Sequence, residues 1–186
     1  MKKNKISFES YFWAADRIEC PFELVNAFYD YAHLDFYKHT LGEAIIYSHK
    51  RKIYMQDHPG QIFVFYTAMS SFLKACYCLK VKSKKWQVKE SADCESILHL
   101  ASLTKEEYNN PFIVFQKAFA ENTPDEFEFF LCEIVHLSLS PSAEEFDFDM
   151  MTPYLYLIKM LDASQLMRER GLQRIRKTVQ AELTTE

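Results

Sequence analysis

The stretch QIFVFYTAMSSFLKACYCL, residues 61–79, decides how the rest of the chain is read. At 3.6 residues per turn, Ile62, Phe65, Tyr66, Met69, Leu73, Cys76 and Tyr77 share one face, and Ala68, Phe72, Ala75 and Leu79 widen it. Only a narrow wedge through Thr67, Ser71 and Lys74 is left for solvent. A helix apolar around most of its circumference must be covered on several sides, so residues 61–80 are expected at the centre of a bundle. Methionine and aromatic side chains at this spacing describe core, not a cofactor slot.

Working outward, helix starts recur. Thr123-Pro124 with Glu126 reads as a cap, a first-turn proline and a capping box, and Thr152-Pro153 repeats the cap-proline pair. Pro21 opens a further segment, and TKEE at Thr104 and SAEE at Ser142 are two more capping boxes. Helices are predicted at about 7–18, 21–31, 34–51, 61–80, 94–102, 104–121, 124–138 and 153–180. Pro111 divides the 104–121 segment near Asn109 and Asn110. The segment 124–138 also fits a strand pattern and is read as helix. Residues 81–93 and 139–151 read as loops. The expected fold is all-α: one domain over 1–186, six to eight helices around 61–80, with a C-terminal helix from about 153 that protrudes or docks.

Composition narrows the functional classes. Three glycines among 186 residues, Gly42, Gly60 and Gly171, stand alone, which excludes glycine-rich phosphate loops and disfavours a hairpin-rich β fold. The 16 Phe and 11 Tyr supply large burial per residue. No uninterrupted apolar run reaches membrane-spanning length, and MKKNKISFES lacks the apolar core of a secretory signal, so no membrane partner is expected. Five cysteines without a CxxC pair fit reduced thiols and a cytoplasmic location.

The residues bear on three kinds of chemistry. For a metal, Asp35, His39 and Glu43 fall at i, i+4 and i+8, and Glu133 and His136 form an ExxH pair of the kind found in carboxylate bundles. The helical wheels set these residues opposite the apolar faces, and Glu95 and His99 are one residue too far apart to supply the second ExxH, so no cofactor is expected. For a nucleophile, Cys76, Cys78 and Cys132 sit in apolar runs, Cys20 and Cys94 stand nearer element starts, and no GxSxG elbow is present. For nucleic acid, Lys80, Lys82, Lys84, Lys85 and Lys89 surround Trp86, with further clusters at 49–52 and at Arg168, Arg170, Arg174, Arg176 and Lys177. Basic residues favour helix C-termini anyway, Trp86 is expected to pin its loop to the core, and a net charge of −4 opposes a nucleic-acid partner.

One further motif lies in HKRKIYMQDHPG, residues 49–60, where six residues separate Arg51 from His58. This spacing is similar to the R-x(4–6)-H signature of HEPN helical-bundle proteins, and YTAMSSFLKACYCL is loosely similar to the "LKA" helix of that family. The resemblance implies a metal-independent ribonuclease site formed across a dimer, with Arg51 holding phosphate and His58 in acid–base transfer. Two differences are plain: Lys52 follows Arg51 where the family carries a small polar residue, and the motif precedes the "LKA" helix instead of following it. Residue by residue, the weight falls on a non-enzymatic interaction or regulatory module whose partner is a protein or a second copy of the chain. The narrow stripe Leu172, Ile175 and Val179 in the expected C-terminal helix is its docking feature.

Overall fold

The computed structural model describes residues 10–14, 18, 20–50, 52–55, 57–89, 101–141 and 149–175. A 3-10 turn (Ser10–Phe12) leads into α1 (Pro21–Tyr31), α2 (Leu34–Ser48) and α3 (Pro59–Lys82). A short strand β1 (Trp86–Val88) precedes α4 (Lys105–Asn109), α5 (Phe112–Glu121), α6 (Pro124–Ser138), α7 (Met151–Arg170) and strand β2 (Leu172–Arg174). The architecture is all-α, with seven α-helices and one two-stranded antiparallel ribbon among the described residues.

Helix α3 takes the central place its composition requires, packing against α1, α5, α6 and the 3-10 turn, while α2 lies on α6 and α7. It is the one helix among the described residues whose length and hydropathy match a membrane span, yet 67% of that window is buried inside the protein. Its role as core accounts for its composition. The expected solvent wedge is absent: Thr67 and Ser71 are buried. Trp13 covers them, its indole N–H donating to Ser71 Oγ at 3.2 Å. Both hydroxyls also bond back to carbonyls one turn earlier, which lets small polar side chains enter a core at little cost. Tyr77, placed on the core face by the wheel, is 36% exposed instead.

The local signals explain most boundaries. Thr104 and Thr123 each form a complete capping box, and the chain breaks between α4 and α5 at Asn110 and Pro111. Segment 124–138 is helix over its whole length. Helix α7 starts at Met151, two residues earlier than expected, where Asp149 Oδ1 just ahead of the helix accepts from the amides of Met151 (2.9 Å) and Thr152 (3.2 Å). Helix 34–51 stops at Ser48. Of the expected 7–18 helix only a 3-10 turn stands among the described residues, and 94–100 and the Ser142 box lie outside them.

The C-terminal expectation needs the largest correction. No helix runs from 153 to 180: α7 ends at Arg170, where Gly171 adopts φ 73° and ψ 165°. That backbone region is essentially restricted to glycine, so the helix cannot continue through it. The chain turns into β2, which pairs with β1 in the register Trp86–Arg174, Gln87–Gln173 and Val88–Leu172. Residues 86–88 are therefore strand, not loop. Leu172 stands opposite Val88, so the helical stripe through Leu172 and Ile175 does not form, and Val179 lies outside the described residues.

A charged cluster locks α4 to α7. Glu107 is only 2% exposed and accepts from the Thr104 amide (3.0 Å), Lys159 Nζ (2.7 Å) and Lys117 Nζ (3.4 Å). Burial by itself raises its pKa, but the Lys159 hydrogen bond, the Thr104 amide and the two ammonium charges outweigh burial and hold the carboxyl below its ordinary range. A folded-state pKa below the unfolded one contributes stability that is complete above the unfolded value, about 4.3 for Glu, and is lost as pH falls through the folded value. The urea midpoint is expected to drop as pH falls below about 4.3, and Glu107→Gln to flatten that drop. Parallel pH profiles for the two proteins would show that Glu107 is not responsible.

Candidate functional site

Most residues singled out in the sequence stay apart. His39 is exposed and Glu43 half-buried on α2, while Glu133 is half-buried and His136 exposed on α6. Although α2 and α6 pack together, no group of three or more His, Cys, Asp or Glu among the described residues has a metal-binding arrangement. Burial raises the pKa of both Cys76 and Cys78, which keeps these thiols protonated and poor nucleophiles. His58 is exposed and precedes α3 without a side-chain cap bond. Arg51 lies outside the described residues, so the Arg51–His58 pair has no described geometry. Between them, Tyr54 is buried against Tyr47, with ring centroids 5.0 Å apart, and holds this connection to the core.

Two basic clusters, by contrast, meet. The lysines around Trp86 flank β1 and the described arginines lie at the end of α7 and in β2, so one ribbon brings them together; Arg176 and Lys177 lie outside the described residues. The main-chain ladder extends past both ends, with Lys89 N bonded to Gly171 O and Ile175 N to Lys85 O, each at 3.0 Å. Side chains alternate across the two faces of a strand. Trp86, Val88 and Leu172 fall on the face turned to the core, and Gln87 and Gln173 oppose each other on the other.

On the inner side Trp86 meets Phe22, with ring centroids 5.2 Å apart, and the Arg174 guanidinium lies 5.4 Å from its ring centroid. Half-buried and bordering both clefts, it pins the ribbon. Lys82 Nζ sits 5.3 Å over the Phe22 ring. Beneath lies an apolar cleft of about 300 Å³ walled by Val25, Leu79, Met167 and Leu172. Arg168 at its edge is already paired with Asp30.

The outer side is polar. A groove of about 670 Å³ runs between the ribbon and the α4–α5 corner, lined by Gln87, Lys89, Asn109, Asn110, Arg170 and Gln173 among others. Arg170 is fixed there by two main-chain carbonyls, Lys89 O at 2.9 Å and Tyr108 O at 2.8 Å. Lys84 and Lys85 are exposed on the turn entering β1. Among the described residues, none of Lys82, Lys84, Lys85, Lys89, Arg170 and Arg174 pairs with a carboxylate, although other lysines and Arg168 do. Lys80 leaves the cluster, donating to Phe119 O at 2.9 Å.

Chemically, this arrangement holds cations beside uncommitted amides; the hydroxyl in the lining, Ser83, donates to Lys80 O at 2.7 Å and accepts from Gln116 Nε2 at 3.0 Å. Asn109, Asn110, Gln87 and Gln173 were not foreseen as site residues. A signal for the ribbon does exist: Lys85-Trp86-Gln87-Val88-Lys89 alternates polar and apolar residues with period two. No protein-family model matches the chain, and no curated protein or solved structure matches it significantly.

Proposed function

We propose that this chain is a non-enzymatic helical domain that binds a polyanionic partner through the β1–β2 ribbon. The observation that carries the reading is the convergence of six cations without carboxylate partners, from clusters some eighty residues apart, in a chain whose net charge is −4. Desolvated or uncompensated like charges repel, so a fold gains nothing by collecting them. A polyanion that displaces its counterions onto such a surface binds with a strong salt dependence. The charge balance of the whole sequence favours a protein partner; the local field of the ribbon moves the preference to a polyanion.

The test is retention on immobilised heparin. The wild-type chain is expected to bind at low salt and elute at raised salt, and Lys84→Glu/Lys85→Glu/Lys89→Glu to flow through. All three side chains are exposed, so the variant keeps its helical signal. Equal elution of the two proteins would remove the ribbon as the binding surface.

A further inference from the structure

We infer that the polyanion is single-stranded nucleic acid, and that the outer groove of the ribbon receives one of its bases. This rests on the reading of the ribbon as a polyanion site and adds what the groove recognises.

Four side-chain amides, Gln87, Gln173, Asn109 and Asn110, line this one groove of about 670 Å³. None of the four makes a side-chain hydrogen bond among the described residues. Each amide presents both a donor and an acceptor. The carboxylates of an acidic segment offer only acceptors, so its side chains match the four amide N–H groups and leave the amide oxygens to its main chain. The edge of a nucleobase offers donors and acceptors side by side in one plane, the complement of such a set.

The cations are placed for the backbone of the same strand. Lys89 and Arg170 stand in the groove with the amides, and Lys84 and Lys85 continue the positive surface along the turn before β1. Arg170 is a positioned charge, its guanidinium already oriented by two carbonyls. Phosphates engage the cations while the base enters between Gln87–Gln173 and Asn109–Asn110. A concave groove needs a projecting base, and in a duplex the bases are stacked with their Watson–Crick edges paired, so the single strand is the form selected. Trp86 is already engaged by Phe22 and Arg174, so recognition is assigned to the hydrogen bonds and charge of the groove rather than to stacking on this ring.

The experiment is fluorescence anisotropy with labelled single-stranded RNA and DNA of one mixed sequence. Polyglutamate of matched charge and the corresponding duplexes serve as competitors, and heparin retention is measured in parallel. Either single strand is expected to bind, with both competitors weaker. Gln87→Ala/Gln173→Ala/Asn109→Ala keeps every cation and is expected to lose about tenfold or more in oligonucleotide affinity with unchanged heparin elution. Lys84→Glu/Lys85→Glu/Lys89→Glu is expected to lower the slope of log K against log salt by about 2 or more. Unchanged oligonucleotide affinity in the amide variant, or competition by polyglutamate or duplex equal to that of the single strand, overturns the base-reading groove while heparin binding persists. Failure of the wild-type chain to bind both heparin and oligonucleotide overturns the polyanion reading itself.

Discussion

Phe28→Ala is expected to lower the free energy of unfolding by about 3–5 kcal/mol, at the upper end for aromatic truncation. Phe28 is fully buried and stacks on Tyr37 at 3.7 Å with 13° between planes, and on Phe72 at 4.6 Å with 19°. Trp13 and Tyr29 meet its edges. One ring therefore joins α1, α2, α3 and the 3-10 turn. The size of the cost depends on whether neighbours can collapse into the vacated space. Here they are tethered: Tyr37 OH donates to Phe28 O at 2.8 Å, Tyr29 OH to Leu161 O at 2.7 Å, and Trp13 to Ser71. Urea unfolding followed by circular dichroism measures the loss. A change below about 1 kcal/mol would falsify the claim that this stack is the junction of the bundle.

Removing Lys38 should cost about as much by a different route. Asp162 of α7 has no exposed surface, and its carboxylate pairs with Lys38 Nζ of α2 and accepts from Ser102 Oγ at 2.5 Å. Truncating one partner of a buried pair strands the other charge, which typically costs about 3–5 kcal/mol. Lys38→Met is expected near the lower end, because Lys38 keeps partial access to water. The informative companion is Lys38→Met/Asp162→Leu. With both charges gone, the penalty for stranding disappears, and most of the lost stability is expected to return. If the double variant is no more stable than Lys38→Met, the pair is not an isolated electrostatic unit and Asp162 serves α7 through its other neighbours.

The two predictions also mark what a sequence exposes and what it hides. Residues 61–80 could be placed at the centre because a helix with so little polar circumference has no other stable position. The capping boxes at Thr104 and Thr123 and the break at Pro111 are local, so spacing alone locates them. The Lys38–Asp162 pair is not local: two ordinary charged residues, 124 positions apart, become special only when α2 and α7 pack. The same holds for the site. Lysines around Trp86 and arginines after 168 were visible as two clusters, yet neither hints that the other lies across a ribbon. The helix expected through 153–180 fails at one residue, since the i, i+3 spacing of Leu172 and Ile175 favours a helix but the backbone of Gly171 overrides it.

The ribbon ties the middle of the chain to residues near its end, and that connectivity has a temporal consequence. During synthesis the packing of α3 against α1, α5 and α6, and of α2 against α6, can begin before α7 emerges, while the contacts of α1, α2, α4 and α5 with α7 must wait for it. Strand β1 is made early but waits, unpaired, until Leu172–Arg174 have followed α7 out of the ribosome. A chain stalled or cleaved between α6 and α7 would carry six of the seven described helices without ever possessing the groove. The ribbon and its groove thus form only after α7 has been made, later than the packing among the helices that precede it.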